Sequence, residues 1–472
     1  MSTSALASRL EILRSSQLFE PAILQRFAAH LTEAPEEGVF RMSPLRYAQE
    51  AGLSEAVGLE LFLRATHAGL LDFTWGVLCP NCASFVTTAS GLRSLTDRKR
   101  CSMCQADIAL TDDAVEIAFS VSEPVRKLRF REDKAMRFGT DWMTLFFSPS
   151  PAPEPEFTKA ISNLMIDSFV LAPGEEKVIE PTLEPRRYAV LAPGHHSWAH
   201  LTVKAEGTAT EVEVNLVEGG LLPEEVLVRA GKVRIRVHNR TDRPAAMGFM
   251  NDPTISPAER TGCQMPHIGR RPYLTGKRLV TSQTFRELFR AESLPSQDGL
   301  EFKSLTLLFT DLKGSTEMYE RIGDFRAFGL VREHFQLLRN LVVANGGALV
   351  KTIGDAIMAS FAEPAPAIEA AARMRDEVRK VGGGGALELK LGLHAGPCIA
   401  VESNERLDYF GQTVNIAARV QGVANANEIA CTESVFSAPL VADAIRAAHL
   451  TTTRDQAHLK GLDEDVTVYR LR

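Results

Sequence analysis

The chain has 472 residues, enough for three or more domains, and its 45% hydrophobic and 24% charged residues are the balance of a globular protein. A formal net charge of −6 argues against the broadly basic surface of a general nucleic-acid or membrane binder. No apolar run reaches the ~20 residues of a membrane-crossing helix, and the opening MSTSALASRLEILRSSQ lacks a signal-peptide core, so the chain reads as cytoplasmic.

Residues 1–76 read as helical. A short helix, a turn at Gly52 and a longer helix crowded with Leu59, Leu61, Phe62 and Leu63 resemble a winged helix-turn-helix. Acidic residues outnumber basic ones over residues 1–120, which argues against nucleic acid as a partner and for a small helical interaction domain. Of the seven cysteines, four fall in two pairs, Cys79-x2-Cys82 and Cys101-x2-Cys104. Two such knuckles offer four thiolates to one tetrahedral ion, with no position left for water, so residues 77–110 read as a ribbon holding one structural zinc per chain. This ribbon is expected to lock onto the helical domain. The neighbouring Arg98-Lys99-Arg100 reads as a solvated loop, and Cys263, Cys398 and Cys431 as thiols outside the metal site.

Residues 111–250 change character. Val115, Ile117, Phe119 and Val121 alternate, as do Val212, Val214 and Leu216 and much of Val226–Val237, with Pro and Gly between them. Short strands with turn signals predict a β-sandwich-like regulatory domain. His195-His196 reads as a pair of loop histidines. Residues 251–298 then hold two linkers, NDPTISPAERTG and SLPSQDGLEF, around an amphipathic helix over QTFRELFRAESL. That helix, from Phe285 to Leu294, is read as the element coupling the upstream domains to the last third. The run Gly382–Gly385 lacks the Lys-Ser/Thr of a phosphate-binding loop and is assigned no site role.

The last third carries the chemistry. Leu305, Leu307 and Phe309 alternate into Asp311, after which Gly314, Ser315 and Thr316 lead into a helical pattern. A strand, a turn and a helix N-terminus present backbone N–H groups to an anion. Ile353-Gly354-Asp355 reads as a hairpin between two apolar strands. Two carboxylates at the ends of adjacent strands, beside a phosphate-friendly turn, suit paired divalent metals on a nucleotide. In DYFGQTVNIAAR, Asn415 and Arg419 are four apart and share a helix face. His394 and Cys398 lie on an apolar strand and read as core residues.

FTDLKGST, KTIGD, DYFGQTVNIAAR and HLKG, in this order, resemble the catalytic domain of the class III nucleotide cyclases, the adenylate and guanylate cyclases, over residues 299–472. The resemblance implies a ferredoxin-like domain that closes the ribose 3′-oxygen onto the α-phosphorus of a nucleoside triphosphate. It implies that Asp311, Asp355 and the carbonyl of Leu312 hold two Mg²⁺ or Mn²⁺ ions. Asn415 would orient the ribose, Arg419 stabilise the transition state, and Lys460 hold the terminal phosphates. Lys351 and Asp408 fall at the base-selecting positions. A donor beside an acceptor matches N1 and the 6-amino group of adenine, so ATP is the expected substrate. In the family each site is shared across a two-fold dimer, which implies a homodimer. A guanylate cyclase and a non-catalytic nucleotide-sensing regulator are the alternatives; the complete residue set favours the adenylate cyclase. The whole chain is thus expected to be a multidomain α+β protein: a winged-helix-like domain (1–76), zinc ribbon (77–110), β-sandwich-like domain (111–250), linker and coupling helix (251–298) and cyclase domain (299–472).

Overall fold

The structure, a computed structural model, describes residues 3–89, 100–108, 114–131, 141–148, 163–252, 273–289, 300–314, 320, 322–380, 387–403, 406–461 and 464–472. Cys263, Arg98 and Lys99, most of both Pro/Gly linkers, Leu294, the Ser315-Thr316 turn and Gly382–Gly385 lie outside the described residues. The chain forms two compact units that divide between Leu274 and Thr275.

The first unit opens with α1 (Thr3–Ser15), α2 (Pro21–Glu33), α3 (Pro44–Ala51) and α4 (Glu55–His67). Ser43 and Ser54 cap α3 and α4 by accepting the amides of Arg46 and Val57. The expected short helix, turn and longer helix are present. Strands β1 (Leu71–Leu78), β2 (Phe85–Ala89) and β3 (Val115–Val121) follow as an antiparallel sheet of order β2-β1-β3. This corrects two boundaries. Residue 76 lies inside β1, and β3, expected in the β-rich domain, pairs with β1 from Leu71↔Val121 to Val77↔Val115. The physical reason is that every residue of β3 is buried, so its alternation does not mark a one-sided sandwich strand. Phe119 reaches the helical core, 5.3 Å from the ring of Phe62.

Helix α5 (Asp141–Phe146) precedes β4 (Met165–Leu171), β5 (Glu176–Ile179), β6 (Thr182–Leu183), β7 (Arg187–Ala192), β8 (Ser197–Lys204), β9 (Glu211–Val217), β10 (Gly220–Leu222), β11 (Glu225–Arg229), β12 (Gly231–Lys232), β13 (Arg234–Asn239) and β14 (Ala245–Asn251). Sheets of order β10-β9-β13-β5 and β11-β8-β7-β14-β4 enclose one core that includes Val190, Leu201, Val214, Ile235 and Met247. The alternating strands therefore build a sandwich, and its last strand, β14, crosses the expected boundary at 250. The five-stranded sheet is buried on its other face as well. There Ala189, Leu191, Trp198 and Met250 pack with Trp142 and Phe146 of α5 and with the four paired cysteines. The cysteine ribbon thus packs on the sandwich in addition to the expected helical domain, which it meets where β2 pairs with β1 and the Phe85 ring centre lies 4.5 Å from the Arg41 guanidinium. Hydrogen bonds fix the ribbon to the sandwich: Ser102 Oγ donates to the His196 carbonyl at 2.7 Å, and buried His200 places Nε2 2.8 Å from the Ser102 carbonyl and Nδ1 2.6 Å from Asp252. His196 is buried, with Nε2 2.9 Å from Thr88 Oγ1.

The second unit contains α6 (Gly276–Val280), α7 (Gln283–Leu288), β15 (Leu300–Lys313), α8 (Asp324–Ala344), β16 (Ala348–Ile353), β17 (Ala356–Phe361), α9 (Pro364–Val378), β18 (Glu388–Ser403), β19 (Arg406–Phe410), α10 (Gln412–Gly422), β20 (Glu428–Thr432), α11 (Glu433–Phe436), α12 (Val441–Ala447), β21 (Thr452–Ala457) and β22 (Val466–Leu471). The helix expected to continue to Leu294 instead ends at Leu288. Phe289 closes it, stacking on Phe285 at 5.5 Å and donating its amide to the Phe285 carbonyl. One mixed sheet has the order β16-β17-β15-β18-β20-β22-β21, and β19 pairs with β18. Alternation sorts the side chains by face. Leu308 and Leu312 of β15 and Leu389, Leu391 and Leu393 of β18 join the core with α8, α9 and α12. Asp311, Lys390, Gly392 and Gly396 have the opposite parity and lie on the face that carries α10.

Glu428 and His334, both buried, contribute to the acid response of this unit. Burial raises the Glu428 carboxyl, but hydrogen bonds from Arg470 (2.6 Å), Arg472 (2.8 Å) and Asn425 outweigh it and hold the group below its ordinary value. Burial takes His334 down to about 4, against a smaller upward pull from Asp355. Both groups have depressed folded pKa values. Their stabilisation is complete above the unfolded values and is lost as pH falls, for His334 from about 6.5 towards 4 and for Glu428 below about 4.5. Thermal melts between pH 7 and pH 4 should therefore show falling stability. His334→Leu should remove a share worth at most about 3 kcal/mol of that fall; an unchanged pH slope would refute the assignment.

Candidate active site

The two aspartates meet because strand register brings them together. In the β15/β17 ladder Phe309 pairs with Met358. Continuing that register two residues puts Asp311 beside the β16–β17 turn that holds Asp355. The turn is a two-residue hairpin closed by the Ile353↔Ala356 pair, with Gly354 at φ +62°, a conformation that Gly adopts without Cβ strain. Buried Thr310 pins it by accepting the Ile357 amide at 3.1 Å.

The two carboxylates are close enough for each to act on the other's charge. Burial is the main influence that raises the Asp311 carboxyl, and the Asp355 carboxylate adds to it; Lys390, Gln421 and the Leu312 amide oppose it. Two like charges held together are unfavourable unless a cation lies between them. Asp355 Oδ2 is buried with no hydrogen-bond partner among the described residues. A half-buried carboxylate pair with an orphaned oxygen fits a hard divalent cation. His334, on α8, is buried in the apolar stripe formed by Val331, Leu338 and Leu341, and neither of its ring nitrogens has a hydrogen-bond partner among the described residues.

Helix α10 carries the other half. It lies directly against β18 because two glycines leave room: a Cβ on Gly392 would fall 2.1 Å from the Gln421 nitrogen, and one on Gly396 2.7 Å from Thr413 Oγ1. Thr413 also donates to the Pro397 carbonyl at 2.6 Å. Thr413, Ala417 and Val420 form the buried face of α10, while Asn415 is exposed and Arg419 half-buried. Val420 packs with Ala430, Leu459 and Val468. That contact brings the loop after β21 up to the helix, so a Cβ on Gly461 would lie 3.3 Å from Arg419 Nη2. The backbone segment that carries Lys460 thereby lies beside Arg419.

Lys351 on β16 and Asp408 on β19 pair directly, Nζ to Oδ2 at 2.6 Å. His394 stays with the core, half-buried, its Nδ1 2.8 Å from Thr432 Oγ1, and burial takes it down to about 4. Cys398 is buried. Two residues near Asp311 were not anticipated. Lys390 is its cross-strand partner, and Gln421 comes from the end of α10. The alternating ELKLGLHAG marks Lys390 as a strand residue, but its partner is fixed only by register.

The four paired cysteines cluster in the first unit, with their sulfurs all within 4.8 Å of one another. The nearest pairs, Cys79–Cys104 at 3.4 Å and Cys82–Cys101 at 3.7 Å, are far beyond disulfide length. The two knuckles share one backbone pattern. The amides of Ala83 and Gln105 return to the carbonyls of Cys79 and Cys101, and both residues have positive φ, 54° and 57°. Four buried thiols in this arrangement fit one tetrahedral metal. Arg100, the described member of the basic cluster, bonds to Gln105 Oε1 at 2.9 Å.

Residues 3–287 match a family of unknown function, DUF5939, and residues 299–472 match the adenylate and guanylate cyclase catalytic domain. A receptor-type adenylate cyclase of Trypanosoma congolense is 26% identical over 207 residues, which is 35% of this chain and 27% of that protein. An adenylate cyclase of Anabaena cylindrica is 27% identical over 191 residues, 36% of this chain and 37% of that protein. The match thus spans well under half of either relative. Among solved structures, the adenylyl cyclase CyaB from P. aeruginosa is 22% identical over 37% of this chain and 96% of its own, with a TM-score of 0.33.

The close approach at Gly392 yields a test. Gly392→Ala should force α10 off β18 and cost about 2 kcal/mol or more, read as a lower melting temperature. Gly422→Ala, where a Cβ meets nothing within 4 Å, should leave the melt unchanged. Equal melts for the two variants would show that the helix does not depend on that approach.

Proposed function

Because the chain belongs to the DUF5939 family through residues 3–287 and carries an adenylate and guanylate cyclase catalytic domain over residues 299–472, we propose that it is an adenylate cyclase that converts ATP to 3′,5′-cyclic AMP and pyrophosphate. The observation that carries this reading is the convergence of Asp311 and Asp355, with an orphaned carboxylate oxygen, in a domain that also retains Lys351, Asp408, Asn415, Arg419 and Lys460.

In the reaction the ribose 3′-oxygen bonds to the α-phosphorus, the bond from that phosphorus to the bridging oxygen breaks, and the hydroxyl proton is released. Mg²⁺ or Mn²⁺ held by Asp311, Asp355 and the Leu312 carbonyl would acidify the 3′-hydroxyl and neutralise the triphosphate. Arg419 donates its planar fork to the α-phosphoryl oxygens, where charge builds. Asn415, one turn earlier, orients the ribose, and Lys460 holds the departing phosphates. Lys351 donates to adenine N1 and Asp408 accepts from the 6-amino group; guanine reverses both roles. The site forms across a homodimer, with metal ligands from one protomer and base, ribose and phosphate ligands from its partner. Exposed Ile399 and Phe410, paired across β18 and β19 beside Asp408, support an apolar contact on that face. The cysteine cluster holds one structural zinc, which stabilises the packing of the ribbon on the sandwich.

The purified protein should make cyclic AMP from ATP in preference to cyclic GMP from GTP. Asp311→Ala and Asp355→Ala should each lower turnover by about 100-fold or more. Full activity in either variant would remove the proposed metal role. Asp311→Ala and Arg419→Ala, each inactive alone, should recover roughly a quarter of wild-type activity when mixed with free subunit exchange, because about half the dimers then hold one intact site of two. No recovery despite demonstrated exchange would place each site within one chain.

Elemental analysis should find one zinc per chain in the wild type and none in Cys82→Ser, together with a lower melting temperature. A stable wild type without zinc would contradict the metal assignment.

A further inference from the structure

The strands that carry Lys351 and Asp408 are both edge strands. Strand β16 ends the sheet, and β19 pairs only with β18 among the described residues. An edge strand lacks a hydrogen-bonded neighbour on one side and is held less firmly than a central one. Strand β16 is also irregular, because its register with β17 shifts between Leu349 and Lys351. Two residues that must hold a fixed spacing to read a base therefore stand on the least supported parts of the sheet.

Helix α7 supplies support to both. Gln283 Oε1 accepts the Leu349 amide at 2.8 Å, at the register shift and two residues from Lys351. One turn along the same helix, Arg286 Nη2 donates to the Leu407 carbonyl, while Nη1 lies 3.4 Å from the Tyr409 hydroxyl. The guanidinium carbon lies 5.5 Å from the centre of the Tyr409 ring. Leu407 and Tyr409 are the two neighbours of Asp408 in the chain. Tyr409 is buried, and its hydroxyl is further tied to the Val280 carbonyl at 3.4 Å and Ser360 Oγ at 3.5 Å. The segment is anchored at both ends by ion pairs, Lys277–Glu363 at 3.0 Å and Glu287–Arg339.

We propose that Gln283 and Arg286 are positioning residues that fix the spacing of Lys351 and Asp408 and so set the choice of purine. The identity of the ligand rests on the cyclase reading. The clamp does not touch the nucleotide. It acts through the backbone of β16 and β19, so its loss should weaken discrimination between purines more than it weakens overall nucleotide affinity.

The test uses full-length protein and the non-cyclisable α,β-methylene analogues of ATP and GTP, with affinities measured by titration calorimetry. Arg286→Ala should reduce the ATP-over-GTP preference about tenfold, mainly through tighter binding of the GTP analogue, whose mismatch the loosened pair can step away from. Arg286→Lys, which can still reach the Leu407 carbonyl, should recover part of it. Gln283→Leu removes one hydrogen bond and answers the same question if Arg286→Ala does not fold. Wild-type discrimination in a folded Arg286→Ala or Gln283→Leu protein would overturn the proposal. Product formation by the wild type is scored separately. A wild type that makes cyclic AMP while the variants keep full discrimination removes the clamp and leaves the cyclase reading. A wild type that makes no cyclic nucleotide removes that reading, and the binding data still decide the clamp.

Discussion

The second unit depends on one close approach, that of α10 to β18. A helix normally stands off a sheet by the depth of its side chains. Here Gly392 and Gly396 remove that depth at both ends of the contact, and Gln421 and Thr413 settle against strand backbone. Three consequences follow from the one seat. Gln421 reaches Asp311 and favours its ionised form against the effect of burial. Asn415 and Arg419 face away from the sheet, since Thr413, Ala417 and Val420 occupy the inner face. Val420 gathers Leu459 and Val468, which draws the segment with Lys460 and Gly461 up to Arg419. A shift of the helix would move all three together, because each is fixed by the same rigid contact rather than by its own loop.

What could be read from the sequence was what short-range pattern encodes. The alternation through Leu305, Leu307 and Phe309 marks β15, Gly354 marks the hairpin, and the four-residue step from Asn415 to Arg419 marks a shared helix face. The resemblance supplied their roles. What escaped the reading depends on pairings between distant segments. Strand β3 carries an alternation that suits a sandwich, yet its partner is β1, far earlier in the chain, and both its faces are buried. The cysteine spacing gives a ligand set but not the surface it packs on, which is decided by Trp198, Trp142 and a hydrogen bond from Ser102. Lys390 faces Asp311 only because the β15/β18 register places it there. His334 occupies a core position of a helix whose other core residues are aliphatic, a conflict that is visible in the sequence once the stripe is drawn.

The first unit shows how a sheet can serve two cores. Along β7, Tyr188, Val190 and Ala192 enter the sandwich, while Ala189 and Leu191 face α5 and the cysteines. Period-two alternation normally separates core from solvent; here it separates one core from another. It also gives the cysteine cluster a place in the fold. It closes the second core, where Cys79, Cys82, Cys101 and Cys104 pack with Trp142, Phe146 and Trp198.

The Lys351–Asp408 pair shows which energies govern recognition. With the lysine side chain 42% exposed and the aspartate 14%, the ion pair lies near the surface. Such a pair is worth about 1 kcal/mol or less, so a base that bonds to both groups displaces it at small cost. Selectivity under the proposed reading must then come from the mismatch and not from the strength of the pair. Guanine would set its N1–H against a lysine donor and its O6 against a carboxylate acceptor. Each unsatisfied contact costs about 1–3 kcal/mol, more for charged groups. That penalty holds only if neither group can step aside to find another partner. On two edge strands, one with a shifted register, the backbone alone does not prevent such a step. The restraint comes from outside the strands, through the amide of Leu349 and the carbonyl of Leu407, both held by the same short helix. A weak surface ion pair can thus support a sharp choice of base, provided that the geometry around it is stiff.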